Sequence, residues 1–410
     1  MDAIVEKCCG LDVHQATVVA CLLTGPSDQK PRKQVRSFGT TTVQLLELRD
    51  WLVAQGCTVA AMESTGVYWM PVYEVLEGHM QVIVGNAQHI KAVPGRKTDV
   101  KDSEWIAELV RHGLIRPSFV PPPEFRQLRA MLRYRRKLVQ SRSAERNRTL
   151  KVLEQCNLKL SSVASDVFGA SGLAMLKALL QGQLNPQQMA QLARGKLRRK
   201  LQELADALTG LLREPYRFLL QLQLQRLERV NQDLDQLDQE LKPRLAPYQE
   251  QLDRLCQIPG INQDTAAVII AELGVDMSVF PTAEQVAAWA GLCPGNNESA
   301  GRSKRAGTRK GNVHLKTALV TAAVCAAKKK GSYLRGKFFR LAVRMKPIQA
   351  HMAVAHKILI SAYHMLKRKQ DYKDLGEGYL DRRKQKQAAS HLVRRLEQLG
   401  YQVQLAPKAA

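Results

Sequence analysis

The chain has 410 residues, a formal net charge of +25 and eight cysteines. The length suits two or three domains with sizeable cores. No apolar run approaches the ~18 residues of a bilayer span, and neither a C-x-x-C pair nor a metalloprotease histidine spacing argues for zinc.

The charge is unevenly placed. Residues 1–115 carry 11 Lys/Arg against 13 Asp/Glu, so the positive excess lies downstream. From Ser299 to Gln370 there are 18 Lys/Arg and no acidic residue. A near-neutral first domain and a separate polyanion-binding portion are expected. The cysteines are scattered, as reduced core thiols would be. No secretory leader is visible at the start, so a cytoplasmic, nucleoid-associated protein is expected.

In chain order, Cys8–Val13 and Thr17–Leu23 read as a strand hairpin, with Val35–Phe38 as a third strand. Thr41–Gln55 has helical periodicity, Thr58–Met62 is a short buried strand, Val67–Leu76 is helical and Gln81–Val84 is a strand. Lys97–His112 reads as an amphipathic helix. That order is the order of a ribonuclease-H-like sheet. Pro117 and the Pro121-Pro122-Pro123 run mark a boundary. Glu124–Gln155 is then one long helix crowded with arginine, including Arg126, Arg129, Arg133 and Arg136, a surface suited to phosphates.

Residues 158–195 read as short helices. Lys196–Leu255 repeats leucine at threes and fours, giving either a self-associating coiled coil or an intramolecular bundle. Cys256–Gly274 resembles a helix-hairpin-helix whose turn, at Gly260, would offer its amides to a phosphate. A short helix over Gln285–Leu292 leads into the glycine-rich loop 294–312. Val313–Lys330 and Ala350–Arg368 follow as helices, and the basic tail after Leu380 is expected to be partly mobile.

Two constellations carry chemistry. Asp12, Glu63, Asp99 and Asp102 lie at strand ends or a helix start. Asp99 and Asp102 are spaced to share one helical face. Hard oxygen donors of this kind hold one or two Mg²⁺ ions, or Mn²⁺ in their place, against a reacting phosphate. The second constellation is Ser299, followed by Arg302, Lys304, Arg305, Arg309 and Lys310. Those cations suit the charge of a phosphoryl transition state. Spacing alone does not make a loop serine a nucleophile, and Ser303 stands in a similar position.

The strings GLDVHQ, AMESTGVYW, GRKTDVKDSEWIAEL and WAGLCPGNNESAGRSKRAGTRKGN resemble the DEDD-type insertion-sequence transposases related to the Piv invertase. These are the insertion-sequence one-ten and one-eleven-eleven groups, bridge-RNA- or seekRNA-guided recombinases. The similarity runs from about residue 8 to about residue 383. It implies an α/β RuvC-like domain over 1–120, a basic helix and coiled-coil linker over 121–250, a mainly helical transposase domain over 251–380, and a basic tail over 381–410. It implies that Asp12, Glu63, Asp99 and Asp102 form the acidic tetrad and that Ser299 is the nucleophile. Many members carry Ser-Gly or Ser-Ser where this chain has Ser299-Ala300, so the register rests on Pro294 and the later R-K-G-N, and Ser303 stays open. The resemblance further implies a homo-oligomer, dimer to tetramer, acting on donor and target DNA with a structured noncoding guide RNA. The rival reading is a metal-only RuvC-like nuclease or junction resolvase, with water as nucleophile and no protein-DNA link. No Walker-type phosphate loop is present to support an ATP-driven alternative.

Overall fold

The computed structural model describes residues 3–64, 66–92, 102–294, 298–299, 302–303, 307–308 and 311–404. It divides into two compact units, Met1–Val120 and Pro121–Ala410.

The first unit contains β1 (Lys7–Val13), β2 (Thr17–Thr24), β3 (Arg32–Gly39), α1 (Thr42–Ala54), β4 (Val59–Glu63), α2 (Trp69–Leu76), β5 (Gln81–Gly85), α3 (Ala87–Ala92) and α4 (Asp102–Arg111). The strands form one sheet in the order β3-β2-β1-β4-β5. The pairings β1–β2 and β2–β3 are antiparallel, and β1–β4 and β4–β5 are parallel. This mixed sheet is consistent with the RuvC-like domain expected from the element order.

Alternation along β1 explains its two-sided burial. Cys9 and Leu11 pack with Leu45, Leu48 and Leu52 of α1 and with Val72 and Leu76 of α2. Cys8 faces the other way, with Cys21, Val59 and Ala61, onto Ile106, Ala107 and Val110 of α4. Gly10 lies on the α4 side by the same alternation. A Cβ there would sit 2.2 Å from the Ser103 carbonyl oxygen and 2.3 Å from the Ala107 nitrogen. The absent side chain is therefore what lets α4 lie directly on β1. The eight cysteines are free, and burial pushes the Cys8 thiol up to about 12, so it stays protonated.

The second unit is helical apart from one small hairpin. It contains α5 (Pro123–Gln155), α6 (Leu160–Val163), α7 (Ala170–Gln181), α8 (Pro186–Ala190), α9 (Leu201–Leu208), α10 (Glu214–Leu245), α11 (Gln249–Cys256), α12 (Gln263–Leu273), α13 (Ala283–Trp289), β6 (Glu298–Ser299), β7 (Arg302–Ser303), α14 (Val313–Ala326), α15 (Tyr333–Ala342), α16 (Pro347–Arg368) and α17 (Tyr379–Gln398). Helix α5 is 33 residues long, about 50 Å at 1.5 Å per residue. It pairs with α10 of the same chain. Arg135 meets Asp238 and Glu145 meets Arg226, so the residue numbers run in opposite senses and the helices are antiparallel. Leu220, Leu224, Leu227, Leu234 and Leu241 of α10 are buried. Helices α6 to α9 close one end of the pair with their own core around Leu160, Met175, Leu176 and Leu204.

At the other end, α5 meets α12, and α12 packs on α14. A single buried carboxylate organises this junction. Glu272, 2% exposed, accepts both guanidinium hydrogen bonds of Arg133 at 2.8 Å each and one from the Asn312 side chain at 2.6 Å. Arg129 lies 3.1 Å from the same carboxylate and donates to the Ala271 carbonyl at 3.0 Å. Asn312 also accepts from the backbone of His314 and Leu315, which caps α14. Burial pushes the Glu272 carboxyl up, but the Arg133 hydrogen bonds, the Arg129 charge and Asn312 outweigh it and hold the group below its ordinary range.

The tail differs from its sequence expectation. Residues Tyr379–Gln398 are helical. The segment is rich in Arg, Lys, Leu, Gln and Ala, all strong helix formers, so a basic composition there does not prevent a helix. Helix α15 had no counterpart in the sequence reading, and α16 begins at Pro347, with the proline in the first turn.

Two measurements test this packing. Gly10→Ala drives a methyl into the α4 backbone and is expected to destabilise the first unit by roughly 1–3 kcal/mol, read by thermal or urea unfolding. Glu272→Gln leaves Arg129 and Arg133 without a counter-charge, at an expected cost of roughly 3–5 kcal/mol. Because the folded Glu272 carboxyl is depressed, its contribution is complete above the ordinary carboxylate range, about 4.3, and fades as pH falls through the folded value. Unfolding followed from pH 7 to pH 3 should therefore show a shallower acid loss in Glu272→Gln than in the parent chain.

Candidate active site

The first candidate site is assembled from the sheet register. Strands β1 and β4 run parallel, with Cys8 opposite Val59, Gly10 opposite Ala61 and Leu11 opposite Met62. One step further places Asp12 beside Glu63, at the carboxyl ends of two neighbouring strands. Alternation puts both on the side of Cys8, Gly10, Val59 and Ala61, which is the side covered by α4. Asp102 begins α4. Its neighbour Ser103 is the residue whose carbonyl presses on Gly10. The close approach at Gly10 thus brings the start of α4 onto the strand that carries Asp12, two residues on.

Asp12 is partly exposed, and its Oδ2 lies 3.0 Å from Nε2 of the mostly exposed His14. Glu63 is partly buried and Asp102 exposed. Asp99 lies outside the described residues. The helix begins at Asp102, so the expected sharing of one helical face by Asp99 and Asp102 falls on a segment that is not described. Among the described residues, no group of three or more His, Cys, Asp or Glu is placed to hold a metal. The candidate donors on this side of the sheet are carboxylates, while the neighbouring Cys8, Cys9 and Cys21 are buried in the core. This donor chemistry fits a hard divalent cation such as Mg²⁺ rather than a thiophilic one.

The second candidate site is the segment between α13 and α14. The expected loop is a hairpin. Ser299 pairs with Arg302, Glu298 pairs with Ser303, and a bridge between Pro294 and Thr308 closes the base. Ser299 and Ser303 therefore occupy successive register positions and are not equivalent. Lys304, Arg305, Arg309 and Lys310 lie outside the described residues. The foot of the hairpin is well anchored. A Cβ on Gly311 would lie 2.3 Å from the Gly291 nitrogen, so only glycine lets the returning chain cross the end of α13 there. The next residue, Asn312, is the α14 cap and Glu272 partner described above.

The arginines of α5 are not all left for a ligand. Arg129 and Arg133, both expected at nucleic acid, are engaged by Glu272 and the end of α12. Arg133 holds Glu272 through two of its donors, and Arg129 donates to the backbone carbonyls of Ala271 and Glu272, so both have a role in the fold. Arg126 donates to the Pro121 carbonyl at 3.1 Å, and Arg136 to the His314 carbonyl at 3.5 Å. Gly260 also has a packing role. Its φ is +89°, and a Cβ would lie 2.1 Å from the Ala322 carbonyl oxygen of α14. Sequence reasoning missed Glu272 and Asn312. The signal for Glu272 was present: it is a lone carboxylate late in the otherwise apolar run AAVIIAEL.

A transposase model of the DEDD IS110 type matches residues 9–158, which span all four candidate carboxylates and α5. A model described as transposase, IS116/IS110/IS902 family, matches residues 252–338, which span Gly260, Glu272, the Ser299 hairpin and Asn312. A probable family 20 transposase of Pseudomonas aeruginosa is 27% identical over 278 residues, 67% of this chain and 72% of that relative. The transposase for insertion sequence element IS1111A of Coxiella burnetii is 26% identical over 267 residues, 65% of this chain and 64% of that relative. The two family models meet this chain in the expected order and cover both candidate sites: over residues 9–158 and 252–338 the chain is similar to the insertion-sequence transposases of the IS116/IS110/IS902 family.

Proposed function

We propose that this chain is a transposase that cuts and rejoins donor and target DNA through a covalent phosphoserine. The observation that carries the reading is the parallel β1–β4 register up to Leu11 and Met62, whose continuation sets Asp12 beside Glu63 on the face where Gly10 admits the start of α4. Asp12, Glu63, Asp102 and Asp99 would hold one or two Mg²⁺ ions, with Mn²⁺ as a substitute. A metal held there would supply polarisation of the scissile phosphate and stabilise charge on the reacting oxygens. The Ser299 hydroxyl attacks phosphorus, a bond from phosphorus to deoxyribose oxygen breaks, and one DNA end is left with a free hydroxyl. Attack by a hydroxyl of the partner DNA on the phosphoserine reverses the step and restores serine. The linkage conserves the phosphodiester, so no nucleotide triphosphate is consumed.

The single-serine choice is supported by the hairpin, in which Ser299 and Arg302 pair at one register position. Guidance by a structured noncoding RNA rests on the family resemblance alone. Assembly as a dimer to tetramer is supported by α10, which leaves Phe218, Leu219 and Leu222 exposed after pairing with α5. Phosphate contact at the Gly260 turn, as in a helix-hairpin-helix, belongs to this proposal, as does action at the nucleoid. Among the described residues, no helix is long and apolar enough to cross a membrane.

The test is a denaturing gel of the protein incubated with Mg²⁺ and labelled DNA from the element's own ends. A protein-DNA adduct is expected for the parent chain. Ser299→Ala should lose the adduct and strand exchange while keeping DNA binding. Asp12→Ala should lose cleavage by at least 10³-fold, on the order found when a catalytic metal ligand or charge-stabilising group is removed. Cleavage that survives Ser299→Ala without an adduct would replace this mechanism with the metal-only nuclease, and an adduct that moves to Ser303 would reassign the nucleophile.

A further inference from the structure

The second unit contains an open cavity of about 370 Å³ between α5, the start of α12 and the first turns of α14. That is within the range of small-ligand sites, roughly 300–1,000 Å³. Apolar side chains line part of it: Leu132 and Val139 from α5, Val268 from α12 and Ala318 from α14. Four arginines line another part, with Asn262, Thr265, Thr317 and Thr321 and the carboxylates Asp264 and Glu272 between them. Two of the arginines are already neutralised, Arg133 by Glu272 and Arg135 by Asp238 and Asp264. Arg136 and Arg142 also line the cavity, and among the described residues neither pairs with a carboxylate. The bond from Arg136 to the His314 carbonyl is long, at 3.5 Å, and leaves most of its donors unspent.

His314 sits at the same wall, with its Nδ1 buried and unpartnered in the structure. Burial and then the cations Arg133, Arg136 and Lys137 push its pKa down, so it presents a neutral ring. An apolar recess, a neutral imidazole and two uncompensated guanidinium groups at one opening form a set with a specific complement. A simple anion would have no use for the apolar surface, and an apolar ligand none for the arginines. A duplex keeps its bases stacked inside and offers such a recess only its sugar-phosphate edge. An unpaired nucleotide has a flat base and a phosphate one sugar apart.

We propose that this cavity holds one unpaired nucleotide of a bound strand, with its base against Leu132, Val139, Val268 and Ala318 and its phosphate on Arg136 and Arg142. This rests on the nucleic-acid reading above and adds to it a pocket for a single nucleotide at the foot of the Ser299 hairpin. The pocket's wall at His314 follows directly on the Asn312 cap, so the strand it grips leaves beside the hairpin base.

The experiment uses the full chain and fluorescence anisotropy with three probes: a 15-nucleotide oligothymidylate, a 15-nucleotide oligouridylate and a 15-base-pair blunt duplex, each at several salt concentrations. Arg136→Gln with Arg142→Gln should weaken single-strand binding on the order of tenfold and lower the slope of log affinity against log salt by about 0.7, the value for one phosphate on a single strand. Ala318→Phe should fill the recess and weaken single-strand binding similarly, with the salt slope unchanged. Duplex binding should stay within about twofold in both variants, as expected when the lost contacts are not made to duplex. A greater loss on oligouridylate assigns the strand to RNA, and a greater loss on oligothymidylate assigns it to DNA. Thermal melting checks the fold, and Val139→Met is the milder filler should Ala318→Phe melt early. Equal losses on duplex and single strand, or no effect of filling the recess, would overturn the pocket. A parent chain that binds none of the probes would instead bring down the nucleic-acid reading, and the pocket with it.

Discussion

The bidentate pair between Glu272 and Arg133 is the contact on which the second unit's architecture turns. A carboxylate 2% exposed is costly to bury alone. Here it is repaid by two guanidinium groups from α5 and one amide from the cap of α14. Three helices that are distant in sequence, at 123–155, 263–273 and 313–326, are thereby fixed at one point. Helices α12 and α14 each bury small residues, Ala266 and Ala267 on one and Ala322 and Ala323 on the other, which permit close approach but specify position weakly. The charged node supplies the direction that alanine surfaces lack. It also lies next to the segment the chemistry needs, since Asn312 is both its ligand and the residue at which the hairpin returns to helix.

The first unit solves the same problem without charge. Its carboxylates are held by register and by one missing side chain. The parallel pairing of β1 and β4 sets Asp12 beside Glu63, and Gly10 sets the depth at which α4 rests. In the first unit the candidate ligand Asp12 lies two residues after the tight contact at Gly10, and in the second the foot of the hairpin is fixed at Gly311 and Asn312. Rigid support at the base of a reacting group limits the reorganisation needed when substrate arrives.

The sheet was legible in the sequence because period-two burial and a strand-ending carboxylate leave strong local marks. The strands at Cys8, Thr17, Thr58 and Gln81 begin within a residue of their expected starts. The basic helix was legible as a helix, but the structural contacts of two of its arginines were not. Arginines at 126, 129, 133 and 136 look alike in the chain, yet two face a buried carboxylate 139 to 143 residues away, a relation with no local signature. Gly260 is similar: a glycine in a helix-turn-helix reads as a phosphate turn, whereas its observed constraint is the backbone of α14. The leucine repeat of α10 was readable as a seam, but its partner was not. Much of that seam is spent on α5 of the same chain, and only the apolar groups left outside it, Phe218 among them, are available to another copy.

The placement of acid explains how so basic a segment folds. From Ser299 to Gln370 the chain supplies no carboxylate of its own, so its helices borrow them from both flanks. Glu272 lies before the segment and holds Asn312. Glu377 lies after it, pairs with Arg335 at 2.8 Å and accepts from the Gly331 amide, while Asp374 accepts from the Tyr333 amide and fixes the start of α15. These few borrowed acids secure the ends of helices, and among the described residues of the segment few cations pair with a carboxylate. Like charges held together oppose compaction, and a polyanion that binds the folded form relieves that repulsion and stabilises it through the same contacts. The charge imbalance would thus couple the integrity of this region to a bound polyanion: the fold carries its excess charge with few internal ion pairs, and a polyanion would supply further counter-charge.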